Sequence, residues 1–241
     1  MSHLPILLFD FDGVIITQKA LEYTASIFLK KSFYGWKDTE NLRLIDLARI
    51  FEEADSKNRI KALLRFTKVY KKYIPSLWNR GLFFFKFRKT YPKYEMYETL
   101  KPNLENLLIK LKEWNFILGI VSNTSRSRLE QYIEKFNLMK FFSVFISRDD
   151  TPYRKPNAYP IHAALKKIKK SFKLSIDKTN VYYVGDLPQD IECAMNAGVK
   201  SIALLSGHGK KDSLENSNPS FLVKDIKDIL EIEPFKKFLL D

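Results

Sequence analysis

The stretch Ile6-Leu7-Leu8-Phe9-Asp10-Phe11-Asp12-Gly13 decides how the rest of the 241-residue chain is read. Ile6 to Phe9 is a short apolar run near the N-terminus, the pattern of a strand buried on both faces of a parallel sheet. Residues i and i+2 of an extended chain share a side, so Asp10 and Asp12 face one place just beyond the strand's end. Gly13 lets the backbone turn there and lets a ligand come close. Two carboxylates at such a position are costly to bury unless a cation or hydrogen-bond donors compensate them.

Working outward, an α/β rhythm fills the chain from Leu100 on. The pattern predicts helices over 104–114, 127–136, 160–170 and 190–197, the last stopped by Gly198. Strands are expected over 116–121, 144–147, 181–184 and 201–205, with a further edge strand at 221–223. Alternating strands and helices imply α/β architecture with a doubly wound parallel sheet. Ligands of such sheets sit beyond the carboxyl ends of the strands. That is where Asp10 and Asp12, then Ser122-Asn123, then Lys155-Pro156, then Asp186 and Asp190 of Gly185-Asp186-Leu187-Pro188-Gln189-Asp190 all fall.

Between the first motif and Leu100 the rhythm breaks. Residues 18–99 read as an inserted α-helical domain, with helices over 20–31, 41–53, 58–73 and 77–89. Ile60, Leu63, Leu64, Thr67 and Tyr70 are spaced to form one apolar helix face, and Leu82-Phe83-Phe84-Phe85 reads as the packing core. The core domain is accordingly 1–17 with 100–241.

The composition, 45% hydrophobic and 29% charged, is that of a soluble globular protein. No apolar run approaches the roughly 20 residues of a membrane helix, and no basic leader marks a signal peptide, so no membrane partner is expected. Cys193 is the sole cysteine, which rules out an intramolecular disulfide and suits a cytoplasmic location. The net charge is +13, and residues 18–100 carry 18 basic against 9 acidic residues. Such an excess raises nucleic-acid binding as a rival function. No basic–aromatic binding motif stands out, so no specific nucleic acid is expected. A receiver-like signalling module also sets acids, a hydroxyl and a lysine on a similar sheet, but has no insertion of this size.

With D-F-D-G, S-N, K-P and G-D-x-x-x-D in this order, the chain resembles the haloacid dehalogenase superfamily of phosphohydrolases. The resemblance covers residues 5–17 and about 100–210, and 18–99 sits where one branch of the family carries a helical cap. It implies a Mg²⁺-dependent phosphatase with a Rossmann-like core, acting on a small phosphorylated metabolite. Asp10 would be the nucleophile that becomes an aspartyl phosphate, and Asp12 the acid–base that serves the leaving oxygen and the water. Asp10, Asp186 and the Asp12 carbonyl would hold Mg²⁺, with Asp190 supporting the metal site. Ser122 and Asn123 would take the phosphate, and Lys155 would neutralise charge on Asp10 and the phosphoryl group. Val14 stands where many phosphatases of the family have threonine. Valine there also occurs in sugar phosphomutases, which makes a β-phosphoglucomutase-like enzyme the alternative.

Overall fold

The computed structural model describes residues 4–17, 19–29 and 59–236. In chain order they form β1 (Ile6–Phe9), α1 (Lys19–Leu29), α2 (Arg59–Val69), α3 (Leu77–Thr90), α4 (Leu104–Glu113), β2 (Ile117–Val121), α5 (Arg126–Lys135) and β3 (Val144–Ile146). Then follow α6 (Tyr159–Phe172), β4 (Val181–Gly185), α7 (Pro188–Ala197), β5 (Lys200–Leu204), α8 (Lys211–Glu215), β6 (Phe221–Val223) and α9 (Glu233–Lys236). The chain divides into two compact units, Met1–Thr17 with Leu100–Asp241, and Gln18–Thr99.

The first unit is built on a six-stranded sheet, all parallel, in the order β3-β2-β1-β4-β5-β6. Its strands read as near-continuous apolar runs because helices cover both faces. Leu7, Phe9, Leu118, Ile120, Tyr182 and Val184 point to one face and pack on Leu104, Leu107, Leu108 and Leu111 of α4. Ile6, Leu8, Val181 and Tyr183 point to the other, against Ile161, Ala164, Leu165 and Ile168 of α6 and Cys193 and Ala194 of α7. Period-two strands and 3.6-period helices thus meet on each side. Fully burying one such Leu or Phe contributes about 1.5–3 kcal/mol.

Strand order reverses between β1 and β4, and the register there sets the site. Phe9 pairs with Val184, and the Asp10 amide donates to the Val184 carbonyl at 2.8 Å. The residues that follow these two strands, Asp10 and Asp186, therefore emerge side by side at the topological switch point. Phe9 also pairs with Ile120, which brings the end of β2 and Ser122 alongside.

The described residues of the second unit are largely helical. Phe28, Phe66, Tyr70, Phe83, Phe84 and Phe87 are buried, and their rings pack in stacked and edge-on pairs, such as Phe66–Phe83 at 5.6 Å and Phe28–Phe83 at 5.4 Å. Two expectations from the sequence are corrected here. Tyr70, just past α2, is buried as expected, but on α2 itself Phe66 is buried while Leu64 is 64% exposed, because aromatic packing with α3 turns Phe66 inward. In the Leu82–Phe85 run, Phe83 and Phe84 are core but Phe85 is 60% exposed, since four successive residues of a helix cannot share a face. The helix expected over 41–53 lies outside the described residues.

Both ends of this unit are tied together. The buried Glu98 carboxylate accepts the backbone amides of Lys19 and Ala20, each at 3.0 Å, so a residue at the unit's end caps the first turn of α1. Within the first unit, Ile16 and Leu100 pair in an isolated antiparallel bridge where the chain leaves and returns. Among the described residues no helix is long and apolar enough to cross a membrane.

Candidate active site

Lys155 is the hub. Its side chain is buried, and its Nζ lies 2.6 Å from Asp10 Oδ1 and 2.7 Å from Asp190 Oδ1. It also donates to the Tyr183 hydroxyl at 3.0 Å, and that hydroxyl donates to the Val121 carbonyl at 2.9 Å. All three donors of the ammonium are thereby placed. Arg154, the neighbour that sequence alone could have confused with it, is exposed. Asn123 fixes the loop. Its Oδ1 accepts the Lys155 amide at 3.1 Å and its Nδ2 donates to the Lys155 carbonyl at 3.4 Å. The Asn123 side chain, expected at the phosphate, is thus engaged in holding Lys155.

Asp190 does two things at once. While Oδ1 meets Lys155, Oδ2 accepts the Leu187 amide at 3.0 Å, a cap at the start of α7. Asp10 Oδ1 also accepts the Phe11 amide at 2.7 Å, so both of its contacts use the same oxygen. Asp186 Oδ2 accepts the His208 amide at 2.7 Å, whereas its buried Oδ1 has no hydrogen-bond partner. Ser122 is buried at the end of β2, its hydroxyl oxygen accepting the Thr124 amide at 3.1 Å. Asp12 stands slightly apart, joined to Arg128 at 2.8 Å.

The loop Ser206-Gly207-His208-Gly209 wraps Asp186, and it does so only because Gly207 has no side chain. A Cβ there would lie 2.1 Å from the Asp186 Cβ. Gly13, with φ +79°, makes the matching approach from the other side, its missing Cβ 2.2 Å from Asp186 Oδ2. Lys101 Nζ donates to the Ser206 carbonyl and fastens the loop.

Burial dominates the electrostatics. It pushes the Asp10 carboxyl well above the usual carboxylate range, with Lys155 pulling it back and Asp190 and Asp186 raising it again. Burial, with the charge of Asp190, raises Asp186 to about 7. For Lys155, burial works to lower the pKa, yet the charges of Asp10 and Asp190 outweigh it and hold the ammonium well above its ordinary value. Burial also pushes the Cys193 thiol up to about 12, consistent with a core residue that has no chemistry. Ligand atoms of Asp10, Asp186 and Asp190 lie within 4.8 Å of one another. A cluster of hard oxygens with one buried, unpartnered carboxylate oxygen fits a hard divalent cation such as Mg²⁺.

Sequence reasoning singled out every one of these acids, Ser122, Asn123 and Lys155. It missed Tyr183, which reads as a core strand residue, and Arg128, which reads as a surface charge of α5. It also missed the His208 amide on Asp186, for which glycines on both sides of the histidine were the available signal.

The chain is similar to known proteins in sequence and in fold. The pyrophosphatase PpaX of Oceanobacillus iheyensis is 29% identical over 140 residues, which are 58% of this chain and 63% of that protein. The phosphoglycolate phosphatase of Vibrio cholerae is 32% identical over 133 residues, 55% of this chain and 56% of that one. The aligned stretches thus span less than two thirds of these relatives' length. The crystal structure of a predicted phosphoglycolate phosphatase from Haemophilus somnus shares the fold, with a TM-score of 0.66 at 21% identity over 96% of this chain and 99% of that one. Residues 7–204 match the description of the haloacid dehalogenase-like hydrolases, and the chain belongs to that family of enzymes.

Proposed function

We propose that this enzyme is a phosphatase that hydrolyses a small phosphorylated metabolite through an aspartyl phosphate on Asp10. The observation that carries the reading is the buried Lys155 ammonium held between Asp10 and Asp190, with Asp186 in the same cluster. Phosphoryl transfer asks little covalent work of a protein and depends on positioning and charge neutralisation, which this arrangement supplies. Names of relatives point the same way: one is a phosphoglycolate phosphatase, another a pyrophosphatase.

Mg²⁺ would be held by Asp10, Asp186 and the Asp12 carbonyl, and when bound it supplies charge neutralisation between carboxylate and phosphoryl oxygens. The protein's own groups divide the remaining work. An Asp10 carboxylate oxygen forms a bond to phosphorus as the bond from phosphorus to the leaving oxygen breaks, and Asp12 gives that oxygen its proton. Asp12 then takes a proton from water, whose oxygen attacks phosphorus and breaks the bond to Asp10. The Ser122 hydroxyl and backbone amides at the end of β2 donate to the phosphoryl oxygens. Lys155 keeps Asp10 oriented and balances the charge that collects on it. Asp190 orients Lys155 and supports the metal site beside Asp10 and Asp186.

In the same reading the 18–99 unit is the cap and selects the substrate, and a lone buried cysteine suits work in the cytoplasm. The test is hydrolysis of p-nitrophenyl phosphate with and without Mg²⁺. Release of free phosphate should require the cation, stop with chelator, and fall by several orders of magnitude in Asp10→Asn. Cation-independent hydrolysis would overturn the metal assignment, and substantial activity in Asp10→Asn would overturn the nucleophile. Interconversion of sugar phosphate isomers without phosphate release would favour the mutase.

A further inference from the structure

Asp12 takes its partner from outside the four motifs. One guanidinium nitrogen of Arg128 donates to both carboxylate oxygens, at 2.8 Å to Oδ1 and 3.1 Å to Oδ2. The same nitrogen donates to the Thr124 hydroxyl at 3.0 Å. The guanidinium carbon lies 5.1 Å from the centroid of the Tyr132 ring, one turn along α5. The Arg128 amide in turn donates to the Ser125 hydroxyl that caps the helix, at 3.4 Å. Both partners of the pair are largely buried, with side-chain exposures of 15% for Arg128 and 12% for Asp12. Arg128 is therefore anchored at its backbone, and its guanidinium, held against a ring and a hydroxyl, fixes the rotation of one carboxylate.

We infer that Arg128 is a positioning residue for the acid–base Asp12, linking the loop after β2 to the loop after β1. The inference rests on the proposed role of Asp12 above. An acid–base group serves two oxygens in turn, the leaving group's and the water's, so its carboxyl must keep one orientation through both steps. A planar guanidinium clamped by a hydroxyl and an aromatic ring provides that orientation. A plain strut between helix and loop would also show these contacts, but it would affect every substrate alike. A positioning residue weighs most on substrates whose leaving oxygen needs a proton.

The experiment compares kcat/KM for p-nitrophenyl phosphate, whose weakly basic p-nitrophenolate departs without a proton, with phenyl phosphate, whose more basic phenolate benefits from one. Arg128→Ala should lose about tenfold more on phenyl phosphate than on p-nitrophenyl phosphate, a fraction of the 10²–10⁴ that a general acid contributes. Arg128→Lys should recover part of the difference, and it serves as the readout if the alanine variant does not fold. In an Asp12→Asn background, Arg128→Ala should change the ratio no further. Equal losses on the two substrates, or an added loss in the Asp12→Asn background, would make Arg128 a strut and overturn the inference. Asp12→Asn alone separates the two levels. If it leaves the substrate ratio unchanged, the acid–base reading of Asp12 fails; if it shifts the ratio and Arg128→Ala does not, only the role of Arg128 fails.

Discussion

Lys155 carries a positive charge into a cluster of three buried carboxylates, and the charge balance of the site turns on it. Removing it leaves Asp10 and Asp190 facing each other without compensation and takes a fixed charge from the transferring group. Lys155→Ala should lower kcat by roughly 10²–10³, or about 3–4 kcal/mol, while Arg154→Ala, an exposed side chain, should change it little. Equal losses would mean that the charge near the phosphoryl group comes from elsewhere. Asp186 gives a second measurement at this scale. Its pKa rises on folding from the usual 3.8 to about 7, so in metal-free protein its contribution to stability is fully present below pH 3.8 and is lost as pH climbs through about 7. Cation binding needs the carboxylate, so the rise in Tm produced by Mg²⁺ should be larger at pH 8 than at pH 6. A Tm shift that is the same at both pH values would argue against Asp186 as a ligand. These acids were legible because Asp10 and Asp186 each follow a strand and Asp190 comes four residues later, in a fixed order. Arg128 was not, because its partner lies 116 residues away and nothing local marks it.

Among the elements, those buried on both faces were the most legible. β1, β2 and β4 show every residue buried, so their apolar runs read as strands without ambiguity. The Gly198 cap at the end of α7 was equally plain, and its φ of +70° explains the residue type. The stripe on α2 took in Leu64 and left out Phe66, because aromatic partners on α3, not aliphatic spacing, decide which of the two turns inward. The Ser206–Gly209 loop was hard to read for a different reason: its purpose is a single long-range hydrogen bond to Asp186. Gly207→Ala tests that purpose, since a methyl group would lie 2.1 Å from the Asp186 Cβ and must displace either the loop or the acid. The variant should keep the fold, as the loop sits outside the sheet, but lose most of its Mg²⁺-dependent activity and need more Mg²⁺ for half-maximal rate. Wild-type Mg²⁺ dependence in Gly207→Ala would show that the loop does not hold Asp186 in its working position.

For the whole molecule, the division into an α/β unit and a helical unit followed from one feature, the break in strand–helix rhythm after Thr17 and its resumption at Leu100. What selects a substrate was not readable, because helical insertions carry no transferable code relating residues to ligands. The excess of positive charge in 18–100 suits an anionic substrate, and it gives no finer identity than that. The chemistry proposed for the α/β unit can be tested before any natural substrate is known. The most direct measurement is to mix the intact enzyme with p-nitrophenyl phosphate and Mg²⁺, quench with acid during turnover, and map phosphorylated residues by mass spectrometry. The expected result is a phosphoryl group on Asp10, absent when Mg²⁺ is chelated and absent in Asp10→Asn. Steady turnover with the phosphoryl group on another residue, or on none across quench times that span a single turnover, would contradict the central claim.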